Sequence, residues 1–214
     1  MNDPRFDAYT VCWVTTLDCE LFAARLCLDK EHADLPTDRQ DPNEYILGEM
    51  GIHNVVIVFA PQGQYGMVPA SNTVTNASRT FRQIRCVLLV GIGGGAPGKP
   101  DEWNSMMDIR LGDVVVSCPD KKEGGIVHYD GIQVAAHVSK PPTWLLSKVK
   151  KLNSDHTFGK GMMTEYIAQA QQQMRQRMAR QNYQFPGRQY DRLSDLTLCM
   201  LVIKSVQAVT RLRS

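Results

Sequence analysis

The stretch YTVCWVTTLDCELFAARLCLDKEH, from Tyr9 to His32, decides the fold class. Its first part, Tyr9 to Leu17, is rich in β-branched and aromatic residues, which predicts a buried strand. A helix is expected to start near Asp18, because apolar residues then recur at helical spacing, as at Leu21 and Ala24. A strand followed at once by a helix is typical of an α/β domain.

The alternation of strands and helices continues to about residue 152. Two strands are predicted on either side of a turn within Tyr45–Pro61, and a helix is predicted after the glycines at 63 and 66. The apolar run Ile84–Ile92 predicts a central parallel strand that is buried on both faces. Further strands are expected within 107–119 and 124–131, and a helix within 141–152. We therefore expect a three-layer α/β sandwich with a mixed central sheet flanked by helices.

The sequence pattern changes after about Asn153, where the alternation of predicted strands and helices stops. The segment Thr164–Gln181 is strongly helical, with a thin apolar stripe among many glutamines and arginines. A solvated surface helix and a partner-binding helix are both consistent with this pattern. We predict an α/β domain over residues 1–152, and a divergent helical extension over 153–214 that packs on that domain or trails from it.

Composition excludes several classes of protein. The chain has 214 residues, 43% of them hydrophobic, which indicates a folded globular protein. Its net charge of +2 is too small to predict binding to nucleic acid or to a membrane surface. None of the six cysteines forms a C-x-x-C pair, and no run approaches the roughly 20 apolar residues of a membrane span. We expect a cytoplasmic protein with reduced thiols, without a signal peptide, a metal site or a cofactor.

The glycine-rich segment Leu89–Pro100 allows three interpretations. Gly93–Lys99 matches the spacing of a phosphate-binding loop, but Pro100 stands where the magnesium-binding hydroxyl is needed. A dinucleotide-binding loop beginning at Gly91 needs a helix at once, and Pro97 disfavours it. The third interpretation is a glycine-rich strand end without a ligand. The segment alone does not decide among them.

Several segments together resemble one enzyme superfamily. VGIGGG (Val90–Gly95), DIRLGDVVVS (Asp108–Ser117) and GGIVHYDG (Gly124–Gly131) follow VCWVTTLDCELFAA (Val11–Ala24) and GQYG (Gly63–Gly66). In this order they resemble the nucleoside phosphorylase and nucleosidase superfamily, in particular the purine/uridine phosphorylase-like domains of fungal proteins. The resemblance runs from about Tyr9 to Leu152. It implies a phosphorylase/hydrolase-like sandwich whose C-terminal part is truncated or divergent.

The same resemblance implies a set of site residues. Glu20 would activate the attacking nucleophile, since a carboxylate in a cleft can take a proton from water. The glycine-rich strand end would form the floor for ribose and nucleophile, because glycine lets the backbone approach a ligand closely. The implied substrate-binding residues are Thr16, Leu17, Gly63, Gly66, Gly91, Ile92, Gly93 and Gly94.

The implied activity is cleavage of the N-glycosidic bond of a purine nucleoside or nucleotide. Hydrolysis is favoured over phosphorolysis, because TTLDCE (Thr15–Glu20) and Leu89 lack the arginines that phosphorylases use for phosphate. The late Met-Glu and aspartate motifs of the superfamily are not found. The alternative is therefore an impaired remnant that acts as a nucleoside-binding or protein-interaction module. Many relatives complete their sites across a dimer, so a homo-oligomer is a further expectation by analogy.

Overall fold

The computed structural model describes residues 4–36, 39–64, 67–94, 109–110, 112–119, 125, 127–130, 133–137, 140–177 and 209–212. The chain divides into two compact units. The first comprises Met1–Gly93 with Ala170–Met178, and the second comprises Gly94–Gln169 with Ala179–Ser214. The division at residue 152 that we expected from sequence stays a prediction.

The first unit is built around a five-stranded sheet with the order β2-β3-β4-β1-β5. Strand β1 runs parallel to β4 and β5, whereas β3 is antiparallel to both β2 and β4. The strands are β1 Val11–Thr15, β2 Lys30–Glu31, β3 Tyr45–Met50, β4 His53–Phe59 and β5 Cys86–Leu89. Helix α1 spans Asp18–Leu26 and α2 spans Met67–Thr80, after a short 3-10 helix at Pro4–Ala8. The expected α/β class with a mixed sheet is confirmed.

Side chains of the sheet alternate between two separate hydrophobic clusters, as the pleat of a strand requires. Val56 and Val58 of β4 belong to a cluster that includes Ala77 of α2. The intervening Ile57 belongs to a cluster that includes Ala24 of α1. Helices α1 and α2 therefore lie on opposite faces of the sheet.

The position of β5 differs from the prediction. Among the strands that the structure describes, β1 is flanked on both sides and β5 lies at the edge with β1 as its neighbour. The side chain of Leu89 is accordingly 72% exposed. An apolar run indicates a strand with a hydrophobic environment, but it carries no information on the order of strands within a sheet.

The second unit contains two antiparallel strand pairs. Strand β6 (Val114–Ser117) pairs with β9 (Val209–Leu212), and β7 (Val127–Asp130) pairs with β8 (Gln133–His137). Helix α3 spans Thr143–Thr157, and helix α4 spans Met163–Arg177, beginning in this unit. None of the helices in the described segments combines the length and apolar character needed to cross a membrane.

Candidate functional site

The candidate site lies at the edge of the sheet where the three parallel strands end. Thr15 at the end of β1 is in register with Phe59 at the end of β4, and Val14 is in register with Leu89 at the end of β5. The chain leaves β1 towards α1 on one face, and it leaves β4 towards α2 on the other face. Open α/β sheets bind ligands at such a switch point, outside the carboxyl ends of the strands.

Glu20 binds the loop that follows β1. Its Oε2 accepts hydrogen bonds from the backbone N–H of Thr16 at 2.9 Å, the Thr16 hydroxyl at 3.0 Å and the backbone N–H of Leu17 at 3.0 Å. Glu20 is the third residue of α1, a position from which a glutamate reaches back to amides ahead of the helix. Leu17 has no side-chain oxygen, so this arrangement is only half of a capping box.

The other carboxylate oxygen binds the loop that follows β5. Glu20 Oε1 accepts a hydrogen bond of 2.8 Å from the backbone N–H of Ile92, which is 72 residues further along the chain. A Cβ at Gly91 would lie 2.8 Å from the Glu20 Cδ and in contact with its Oε1, so a larger residue there would push the carboxylate away from its hydrogen-bond donors. Glu20 thus joins the loop after β1 to the loop after β5 at the carboxyl edge of the sheet.

Electrostatics keep Glu20 ionised. The side chain is buried, with Glu20 only 8% exposed, and this burial raises the pKa of the carboxyl. The hydrogen bonds from Thr16, Ile92 and Leu17 outweigh that effect and lower the pKa below its ordinary value of 4.5. A carboxylate with a lowered pKa and four donors around it is a weak proton acceptor.

The remaining predicted site residues follow β4 or β5 along the chain. Gly63 lies in the turn after β4, with φ of +79°, and a hydrogen bond of 3.0 Å from Gln64 N–H to Pro61 O closes that turn. Ile92 is 72% exposed, and a Cβ at Gly93 would meet nothing within 4 Å. Gly94 is equally open but begins the second unit. Gly66 lies outside the described residues.

The structure therefore brings Glu20 together with Thr16, Leu17, Gly91 and Ile92. Gly63 lies in the loop after β4, the strand beside β1, and Gly93 is next in sequence to Ile92, whose N–H donates to Glu20. The catalytic role of Glu20 stays a prediction.

Sequence reasoning missed two polar groups on β1. The Thr15 hydroxyl and the Trp13 indole N–H are buried and have no hydrogen-bond partner among the described residues. Such groups are rare in folded proteins. Because side chains alternate along a strand, both residues lie on the face of β1 that packs against α1. A threonine at a predicted buried strand position is the signal that could have revealed the unpaired hydroxyl of Thr15.

The comparisons with known proteins give one informative match. The chain is 38% identical over 162 residues to a "Nucleotide-binding leucine-rich repeat (NLR)-like protein" of Hyaloscypha variabilis. The match covers 72% of this chain but 16% of the relative, so the chain spans about a sixth of that protein's length. Neither a family model nor a solved structure matches.

These findings overturn the resemblance to nucleoside phosphorylases. No family model of any kind matches the chain, and the relative's name is that of an NLR-like protein rather than of a phosphorylase, N-glycosidase or other hydrolase. The fungal source of the relative is the single point of agreement. The segments that suggested the resemblance are short and glycine-rich. Glycines at strand ends serve backbone geometry in many unrelated α/β proteins.

Proposed function

We propose that this chain is a ligand-binding module of a larger NLR-like protein, and that a nucleoside or nucleotide binds at the carboxyl edge of the parallel strands β4, β1 and β5. The observation that carries the proposal is the switch point at this edge: β1 and β4 are adjacent and parallel, and the chain leaves them towards opposite faces of the sheet. Glu20 holds the loop after β1 against the loop after β5 at the same edge. Loops held in one geometry form a binding surface at a lower entropic cost than mobile loops.

The exposed groups at this edge suit a nucleoside. The side chains of Ile92 and Leu17 are exposed and offer apolar contact to the plane of a base. The backbone at Gly93 is unshielded and can approach ribose hydroxyls. The relative's name includes "nucleotide-binding", which favours the same ligand class. Pro100 lacks the hydroxyl that a magnesium-dependent phosphate loop requires. The proposal therefore rests on contacts with the base and the sugar of the ligand rather than with its phosphates.

The complete domain is proposed to be a three-layer sandwich. Helices α1 and α2 support this, because they pack against separate clusters on the two faces of the sheet. Cleavage of an N-glycosidic bond, the activity expected from sequence, stays a prediction that no observation favours. The fully hydrogen-bonded carboxylate of Glu20 suits a structural role better than that of a general base.

The test is calorimetric titration of the purified chain with ATP, ADP, adenosine, inosine and uridine, each with and without Mg²⁺. We expect at least one of these ligands to bind, and Gly93→Leu to weaken it by about 10-fold or more, since a side chain would fill the open backbone surface. The matched control is Ile52→Trp, at a 94% exposed position in the turn at the opposite ends of the strands.

Two outcomes would contradict the proposal. One is the absence of binding for all five ligands, and the other is equal affinity of the Gly93→Leu and wild-type chains. The same samples are assayed for free base by chromatography. Base release would support cleavage in addition to binding.

A further inference from the structure

Helix α3 presents a face on which aromatic rings and lysines are exposed together. Residues that follow one another at helical spacing lie on one side of a helix. We call this side the exposed face of α3, and its members are Trp144, Lys148, Lys151, Leu152 and the capping residue Phe158. Trp144 is 50% exposed, Leu152 51% and Phe158 78%. Large apolar side chains grouped on a surface in this way are typical of a contact site.

The exposed face is regular along its whole length. The backbone N–H of Phe158 donates to the Ser154 carbonyl at 3.0 Å, so the helical geometry continues to the end of the face. Trp144 and Phe158 are therefore about 21 Å apart along the helix axis, at a rise of about 1.5 Å per residue. An extended partner segment covers this length with about six or seven residues.

Another side of α3 is covered by the protein itself. Leu145, Leu146 and Val149 lie on that side and are half-buried. An amphipathic helix needs one apolar side to hold it in its own domain, and these three residues provide it. The aromatic rings of the exposed face are additional to that requirement.

The charge on the exposed face is positive and incompletely balanced. Helix α3 contains three lysines and one acidic residue, Asp155. Lys151 forms an ion pair with Asp155, whereas Lys148 forms none within the described part of the chain. A partner that covers Lys148 without offering it an acceptor would pay for the desolvation of its ammonium group. Charge complementarity therefore favours an acidic partner.

The order of residues along the exposed face disfavours a membrane as that partner. A helix that lies in a membrane interface keeps its apolar residues and its lysines on different sides. Here Lys148 and Lys151 lie between Trp144 and Phe158 on the same side. The partner must offer apolar groups and carboxylates close to each other, which a protein segment does and lipid tails do not.

We propose that the exposed face of α3 binds a segment of another protein in which acidic residues alternate with apolar ones. Trp144 and Phe158 are the apolar anchors, because large aromatic side chains contribute much of the binding energy at protein interfaces. Lys148 pairs with a carboxylate of the segment, and this pairing selects against neutral and basic segments.

The test is fluorescence anisotropy of the whole chain with the labelled peptide DELFEEILDELF and, in parallel, with its basic counterpart KRLFKKILKRLF. We expect the acidic peptide to bind, and the basic one to bind at least about 10-fold more weakly, because like charges repel at the lysines. Absence of binding by the acidic peptide, or equal binding of the two peptides, would overturn the proposal.

Variants of exposed residues locate the binding surface. Trp144→Ala is expected to weaken binding of the acidic peptide by about 10-fold, and Lys148→Gln by about 3-fold. Lys150→Gln is the matched control, because it removes the same charge from α3 at a position about 160° around the helix from Lys148. It should leave the affinity unchanged. Equal effects of Lys148→Gln and Lys150→Gln would contradict the assignment to this face.

Three further arms test other occupants of the exposed face. The chain is titrated with phosphatidylserine vesicles and with a single-stranded oligonucleotide, and its self-association is measured by sedimentation velocity. We expect Trp144→Ala to change none of these three readouts. Tighter binding of vesicles or oligonucleotide than of the acidic peptide, lost in Trp144→Ala, would overturn the proposal. Self-association that the same substitution abolishes would assign the face to a second copy of the chain instead.

Discussion

Replacement of Glu20 by glutamine tests whether this carboxylate holds the two loops together. The substitution keeps the size and shape of the side chain, but it turns one acceptor oxygen into an NH₂ group. All four described partners of Glu20 are donors, three on Oε2 and one on Oε1. Glutamine therefore cannot satisfy the full set in either orientation of its amide.

The magnitude follows from the hydrogen bonds. In the better orientation the amide oxygen keeps the three donors from Thr16 and Leu17, and its NH₂ faces the Ile92 N–H. Hydrogen bonds to a charged group contribute about 1.5–3 kcal/mol each, against about 1 kcal/mol for neutral ones. The three donors share one oxygen, so their losses do not add fully. We expect Glu20→Gln to lower the free energy of unfolding by about 3 kcal/mol.

The assay is urea denaturation followed by far-UV circular dichroism, together with hydrogen exchange of the Ile92 amide. The matched control is Glu31→Gln, which removes an exposed ion pair with Arg25 and should cost less than about 1 kcal/mol. A loss below about 1 kcal/mol for Glu20→Gln, or undiminished protection of the Ile92 amide, would refute the structural role assigned to this carboxylate.

Three further predictions follow from the same contacts. Hydrogen bonds outweigh burial and lower the pKa of Glu20, so its stabilisation is present above the ordinary value of 4.5 and is lost as the pH falls through the folded pKa. The difference in stability between wild type and Glu20→Gln, measured by urea denaturation, should therefore shrink as the pH is lowered below 4.5. Gly91→Ala places a Cβ against the Glu20 carboxylate and should cost about 2–3 kcal/mol by urea denaturation, whereas Gly93→Ala, with open space around it, should stay within about 0.5 kcal/mol. Phe81→Ala removes a ring that is 1% exposed and should cost about 3–5 kcal/mol in the same measurement, while Phe158→Ala, 78% exposed, should be nearly neutral; similar losses for the two would contradict the described core.

Local sequence patterns predicted the elements at the start of the chain well. Helix α1 begins at Asp18, where the sequence placed its start, because apolar spacing and a favoured starting residue act within a few positions. Strand β1 ends at Thr15, two residues before the predicted Leu17. The backbone N–H groups of Thr16 and Leu17 donate to Glu20 Oε2 instead of to a neighbouring strand, a contact that β-propensity does not report.

Features that depend on distant residues could not be predicted in the same way. The edge position of β5, the pairing of Thr15 with Phe59 and the ring contact between Phe6 and Phe81 all join residues more than 40 positions apart. Hydrophobic periodicity reports which face of an element is buried, but it does not report which element covers that face. The superfamily resemblance failed for a related reason, since short glycine-rich segments reflect local backbone needs rather than ancestry.

The hydrogen bond from Ile92 to Glu20 also bears on how the chain folds. The turn between β1 and α1 can form early, because Thr16, Leu17 and Glu20 lie within a few residues of each other. The fourth donor comes from a residue 72 positions later, and closing so long a span is slow compared with local turns. During synthesis on the ribosome, α1 can therefore form with one carboxylate oxygen still hydrated, and the edge is completed only after β5 has emerged and docked.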